Sequence, residues 1–168
     1  MSSNRIIIWG IEMNIGILVH SKTGNTLSVV KLLEAKLGKN GHTVSIERIV
    51  PDNEDQPDKS KVRLVSSPSV SKFDSIILAG PVHGFSPTPA IVRWIEGSDD
   101  LSGRKIPLVI TQQLPFPLLG GNRTVRKITD LLQKKGASVP VSSIVNWGSG
   151  KRQMLIDDAV KKVSEYLK

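Results

Sequence analysis

At 168 residues with 39% hydrophobic content and a net charge of +8, the chain is sized for one compact domain with its own core. It contains no cysteine, which excludes disulfides, thiolate nucleophiles, iron–sulfur clusters and cysteine-ligated zinc, and fits a reducing, cytoplasmic setting. His20, His42 and His83 fall in no metal-ligand pair, so no metal is assigned, and the apolar stretch 6–19 is interrupted by Glu12 and Asn14, so neither a membrane span nor a signal peptide is expected.

In chain order, residues 1–12 read as an N-terminal extension, because Met13 directly precedes the first core strand; they fit a tail, an added edge strand or a mis-assigned start equally well. The domain occupies 13–168. Its pattern alternates: strand 14–19, helix 25–37, strand 43–50, strand 75–79, helix 88–96, strand 106–111, helix 122–135, strand 138–145 and helix 151–167. Runs such as Ile15-Gly16-Ile17-Leu18-Val19 and Ile76-Ile77-Leu78-Ala79 are apolar at successive positions, as a strand covered on both faces by helices requires. Repetition of strand and helix gives an α/β fold with a parallel sheet.

Helix punctuation supports these spans. Thr88-Pro89 places a capping hydroxyl before a proline suited to the first helical position, with Ile91, Trp94 and Ile95 on one face behind it. Val125, Ile128 and Leu132 recur at helical spacing before Gly136, as do Leu155, Ala159, Val163 and Leu167 near the end. Residues 51–72, with two prolines after Pro51, four acidic residues and five serines, show no sustained apolar period and are expected to form a loop with one short helical turn. Trp9 and Trp147 fit either a homo-oligomer interface or packing at sheet edges.

The chemistry centres on the junction where Val19-His20 runs into Ser21-Lys22-Thr23-Gly24-Asn25-Thr26 and then into a helix. A phosphate there meets free backbone amides at the positive end of the helix dipole, together with the hydroxyls of Ser21, Thr23 and Thr26. The same residues also suit an ordinary helix cap without a ligand. The motif lacks the lysine of a nucleoside-triphosphate loop and is not a dinucleotide fingerprint. Charge adds one more feature: residues 122–168 hold 10 basic and 4 acidic side chains, an excess that fits solvated helix faces or a surface for an anionic partner. With one tyrosine, three phenylalanines and three tryptophans there is no row of base-stacking aromatics, and nucleic acid is not the expected partner.

The S-x-T-G-N-T run after the first strand resembles the phosphate loop of flavodoxins, and the similarity extends in element order over residues 13–168. Residues 73–84, running Phe73-Asp74-Ser75 to Pro81-Val82-His83-Gly84, resemble the third strand and the loop beside the flavin ring; 101–106, 111–121 and 136–137 resemble the fourth strand, its loop and the next helix. The resemblance implies a three-layer, doubly wound, five-stranded parallel sheet of order 2-1-3-4-5 that binds FMN at the carboxyl ends of strands one and three. It further implies that Ser21, Lys22, Thr23, Gly24, Asn25 and Thr26 hold the phosphate. Pro81, Val82, His83, Gly84 and Phe85 would border the ring, with Thr111, Gln112, Gln113 and Phe116 on its other side. Phe116, between two prolines, also fits a local packing anchor, and His83, the one candidate proton relay, also fits a surface loop.

Departures from the family pattern separate three expectations. The second helix is weak or missing, and no Asp or Glu lies within 81–90 or 111–123, whereas Lys22, Arg123 and Arg126 are close by in sequence. Electron-carrying members of the family are acidic around the flavin, so the difference points to a milder two-electron reduction and an NAD(P)H-dependent oxidoreductase acting on a quinone, flavin or similar acceptor. The alternatives are a one-electron carrier with a redox partner and no substrate of its own, and a flavin-free protein of the same fold that binds an anionic partner through its basic face.

Overall fold

Period-two alternation along the strands builds the layers. The computed structural model describes residues 10–99 and 101–168; Trp9 and most of the 1–12 extension lie outside them. In β1 (Asn14–Val19), Ile15, Ile17 and Val19 share one apolar cluster with Ile77 and Ala79 of β3 (Ser75–His83). Against these pack Val29, Val30, Leu33 and Leu37 of α1 (Asn25–Lys39) and Ile156, Ala159 and Val163 of α4 (Arg152–Tyr166). On the opposite face Leu18, Ile76 and Leu78 meet Ala90, Ile91, Trp94 and Ile95 of α2 (Pro89–Gly97) and Ile128 and Leu132 of α3 (Gly121–Lys134). Burial of this kind contributes about 1.5–3 kcal/mol per large apolar side chain and dominates the stability of the sheet.

With β2 (Thr43–Arg48), β4 (Leu108–Gln112) and β5 (Ser142–Asn146), the strands lie in the order β2-β1-β3-β4-β5, each parallel to its neighbours. A sixth short strand, Ser86–Pro87, folds back antiparallel onto the end of β3. The expected α/β architecture is therefore present, with three layers and the expected order of the five parallel strands. Two strands start later than the sequence reading for one reason: strand character was expected from 106 and 138, but Pro107 and Pro140 each lack an amide donor, and the regular ladders begin at Leu108 and Ser142.

Between β2 and β3 no α-helix crosses over. Instead Val50–Pro51 pairs antiparallel with Leu64–Ser66, and the expected short helical turn appears as a 3-10 turn at Lys59–Lys61, capped by Asp58 Oδ1 accepting from the Ser60 amide at 3.0 Å. The ribbon was not expected, because strands of two and three residues are too short to show a period. Trp94, fully buried on α2, donates its indole N–H to the Pro68 carbonyl at 3.0 Å and ties this connection to the core.

Beyond the ribbon the chain seats Phe73 across the sheet. Arg104 donates to the carbonyls of Phe73 and Val70 at 3.0 and 3.1 Å, and the ring occupies the space over β1 where residue 16 has no side chain. A Cβ at Gly16 would stand 2.5 Å from Phe73 Cδ2. Gly16→Ala is therefore expected to lower stability by about 1–3 kcal/mol, as overpacking does in a fixed core, with Phe73→Leu in the same chain restoring part of the loss. Urea denaturation measures both, and an unchanged midpoint for Gly16→Ala would show that the ring is free to move aside.

Candidate functional site

The turn between β1 and α1 starts the site. Gly24, at φ +93°, precedes the first helical residue, and no side chain caps the helix. An L-residue adopts that backbone at a cost, so glycine here sets how the loop enters the helix. Nothing in the structure lies within 4 Å of where a Gly24 Cβ would be, so the backbone conformation rather than crowding calls for glycine. No described residue accepts from the amides of Thr23, Gly24, Asn25 and Thr26, which leaves four donors unpaired at the positive end of the helix.

Neighbouring elements hold the loop without using those amides. Ser21 Oγ accepts from the Leu27 amide at 3.2 Å, and its carbonyl accepts from the Arg48 guanidinium at 2.8 Å. Thr26 is buried, with its hydroxyl 2.7 Å from that of Thr111 at the end of β4. The Lys22 ammonium bonds to Asp55, which raises the lysine's pKa and lowers the carboxyl's through that hydrogen bond and the charge attraction.

From this loop a cleft of about 350 Å³ opens across the carboxyl ends of β1, β3 and β4. Twelve of the residues expected from sequence line it: Ser21, Lys22, Thr23, Asn25, Thr26, Pro81, Val82, His83, Gly84, Thr111, Gln112 and Gln113. Gly24, Phe85 and Phe116 do not. Phe85 sits at the tip of the hairpin formed by β3 and Ser86–Pro87, 54% exposed, and Phe116 is 62% exposed on the loop after β4. Gln112 has two roles: its Nε2 donates to the carbonyls of Leu114 and Phe116, fixing that loop, while its Oε1 is buried without a partner.

Four further residues belong to the cleft: His20, Glu54, Thr88 and Trp147. Trp147, read from sequence as an interface or edge residue, continues beyond β5 with its amide on the Gln112 carbonyl at 2.7 Å, and the Arg152 guanidinium stacks 5.0 Å from the ring centre. Thr88 caps α2, accepting from the Ile91 amide at 3.4 Å. His20 adjoins the motif and could have been flagged on that ground. Glu54 carries no local signal, since its place depends on the path of the ribbon. It also changes the charge expected of the site: Arg123 and Arg126 lie exposed on α3 and do not line the cleft, and the two fully charged side chains that do, Lys22 and Glu54, are of opposite sign.

His20 is only 4% exposed. Its backbone amide donates to the Ala79 carbonyl at 3.0 Å, its Nδ1 lies 3.1 Å from the Ile49 carbonyl, and its Nε2 lies 3.3 Å from Glu54 Oε2. Burial pushes its pKa below the ordinary 6.5, with Arg48 and His83 acting the same way and the Ile49 carbonyl and Glu54 opposing.

Among the described residues no helix is long and apolar enough to cross a membrane, and no three His, Asp or Glu side chains are grouped to hold a metal ion. No family model and no curated protein matches the chain by sequence. Solved structures do match in fold. The flavodoxin, WrbA-like protein of Agrobacterium tumefaciens is 12% identical, with 94% of this chain and 100% of that one covered and a TM-score of 0.64. Flavodoxin 2 of Bacillus cereus, 18% identical, covers 91% and 99% with a TM-score of 0.61. A Fusobacterium nucleatum flavodoxin bound to flavin mononucleotide, also 18% identical, covers 93% and 99% with a TM-score of 0.58. The chain has the flavodoxin-like fold.

The lowered pKa of His20 has a consequence for stability. Below 6.5 the unfolded chain binds this proton more readily than the folded one, so the contribution of the neutral ring is complete above 6.5 and is lost as pH falls. Urea midpoints at pH 7.5 and 5.5 are expected to fall further in the parent chain than in His20→Gln; equal losses would contradict the assignment.

Proposed function

We propose that the chain binds FMN, with the phosphate in the 21–26 loop and the flavin ring in the adjoining cleft, and that it acts as an NAD(P)H-dependent oxidoreductase on a quinone, flavin or similar acceptor. The observation that carries the reading is the run of unpaired amides from Thr23 to Thr26, flanked by three hydroxyls, opening into a cleft at the point where the crossovers leave β1 and β3 on opposite faces of the sheet. The donor set suits a phosphate ester, and the walls suit a planar group: Pro81 and Val82 supply apolar surface and Trp147 an aromatic one.

A bound flavin would supply the redox chemistry, namely two-electron transfer between a nicotinamide and the acceptor. The chain's own residues orient the ligand and set its electrostatics. Thr23 and the loop amides would hold the phosphate, the hairpin residues Val82 and His83 would border the ring, and the buried Thr26–Thr111 pair holds the loop against β4. The charge of the lining supports two-electron use: Glu54 is its one carboxylate, and no cluster of carboxylates opposes an added electron pair.

Thr23 is exposed and bonds to no described residue, so its removal tests phosphate binding without disturbing the core. Thr23→Val is expected to weaken FMN binding about tenfold to a hundredfold, the value of a hydrogen bond to a charged group, and to leave riboflavin binding unchanged. Flavin fluorescence titration reads both, and equal affinity of the parent chain for FMN and riboflavin would remove the phosphate assignment. Turnover of NAD(P)H with added quinone by the FMN-loaded chain is expected; a stable one-electron-reduced flavin without such turnover would make the protein a carrier instead.

A further inference from the structure

We infer that binding of a phosphate dianion in the 21–26 loop is coupled to uptake of one proton by His20, whose imidazolium then satisfies Glu54. The inference rests on the reading of that loop as a phosphate site. It begins with the two faces of a buried ring. The Ile49 carbonyl, 3.1 Å from Nδ1, can only accept, so Nδ1 carries a hydrogen. A neutral ring then presents a lone pair at Nε2, and Nε2 is the atom 3.3 Å from Glu54 Oε2. That oxygen is buried and takes no hydrogen bond from any described residue.

Neutral His20 therefore leaves a carboxylate oxygen facing a lone pair, with the desolvation of that oxygen uncompensated. A proton on Nε2 would turn the same contact into a charge-assisted hydrogen bond and leave the bond to Ile49 in place. What opposes protonation in the ligand-free protein is burial first, then the Arg48 guanidinium and His83; Lys22, the other nearby cation, has its charge met by Asp55. His20 directly precedes Ser21, so a dianion held by the loop adds negative charge beside the ring, on the side that favours the imidazolium. By linkage, an anion that favours the protonated ring is itself bound more tightly by it. One proton moves from solvent to Nε2; no bond to the ligand forms and no electron moves.

Two measurements on the full chain decide the matter. Calorimetric titration with FMN at pH 7.5, in buffers of different ionisation heat, is expected to give net proton uptake, at most one proton per FMN, for the parent chain. His20→Gln and Glu54→Gln should each abolish most of it. Imidazole nitrogen NMR is expected to show the His20 ring neutral with hydrogen at Nδ1 when free, and doubly protonated with FMN but not with riboflavin. Uptake that persists in His20→Gln belongs to the phosphate and overturns the inference, as does a ring that stays neutral in the FMN complex or becomes protonated with riboflavin alone. In those cases binding itself leaves the functional reading intact. Failure to bind FMN sinks that reading instead, and the same NMR experiment with inorganic phosphate then tests the coupling, a neutral ring at saturating phosphate counting against it.

Discussion

The turn from β1 into α1 has to do two opposed things: end a strand buried on both faces and leave the first amides of a helix unpaired. The surrounding structure achieves this by fixing the loop from behind. Thr26 is tied to Thr111 on β4, the Ser21 carbonyl to Arg48, and the Leu27 amide to Ser21 Oγ, so three separate parts of the chain determine the path of six residues. None of these bonds consumes the amides of Thr23 to Thr26. Because α1 packs on one face of the sheet and α2 on the other, the crossovers leave β1 and β3 in opposite directions and a gap opens between them. Of the turn's unpaired donors, those of Thr23, Asn25 and Thr26 belong to residues that line this gap.

How the chain closes the space between β2 and β3 decides the electrostatics of that gap. A crossover helix would carry its side chains over the sheet face; the ribbon of Val50–Pro51 and Leu64–Ser66 instead sends residues 52–58 over the loop. Asp55 meets Lys22 there, and Glu54 meets His20. The cleft thereby carries little of the +8 of the chain as a whole. Its net charge resides on outer helix faces, including Arg123 and Arg126, where solvent and salt screen it from the cleft.

Legibility from sequence followed the range of the interactions involved. The 21–26 loop could be read because its chemistry is local: a strand, six small polar residues and a helix in succession. The parallel order was legible through the doubly apolar strands and the family resemblance together. Features made by distant segments were not. Glu54 reaches His20 only through the ribbon, and Trp147 reaches the cleft because its amide continues the pairing of β5 with Gln112. Phe85 and Phe116, singled out for their ring surfaces, stand at the hairpin tip and on the Pro-flanked loop, where backbone direction rather than hydrophobicity determines where a side chain lies.

That hairpin is where local preference and tertiary demand conflict most. Gly84 and Phe85 form its two-residue connection at φ +52° and +62°, the geometry whose twist matches paired strands. Glycine adopts it freely, whereas a phenylalanine there costs on the order of 1 kcal/mol, a cost its 54% exposure does little to offset. The turn persists because its neighbours fix it: Lys127 on α3 donates to Ser86 Oγ at 3.0 Å, and the backbone at Gly120 comes up against Phe85 Cα and Val82. Strain of this kind survives where packing over-determines the backbone, and the packing that retains it also holds Val82 and His83 rigidly against the cleft. A relaxed loop would cost less and would leave that edge of the site undefined.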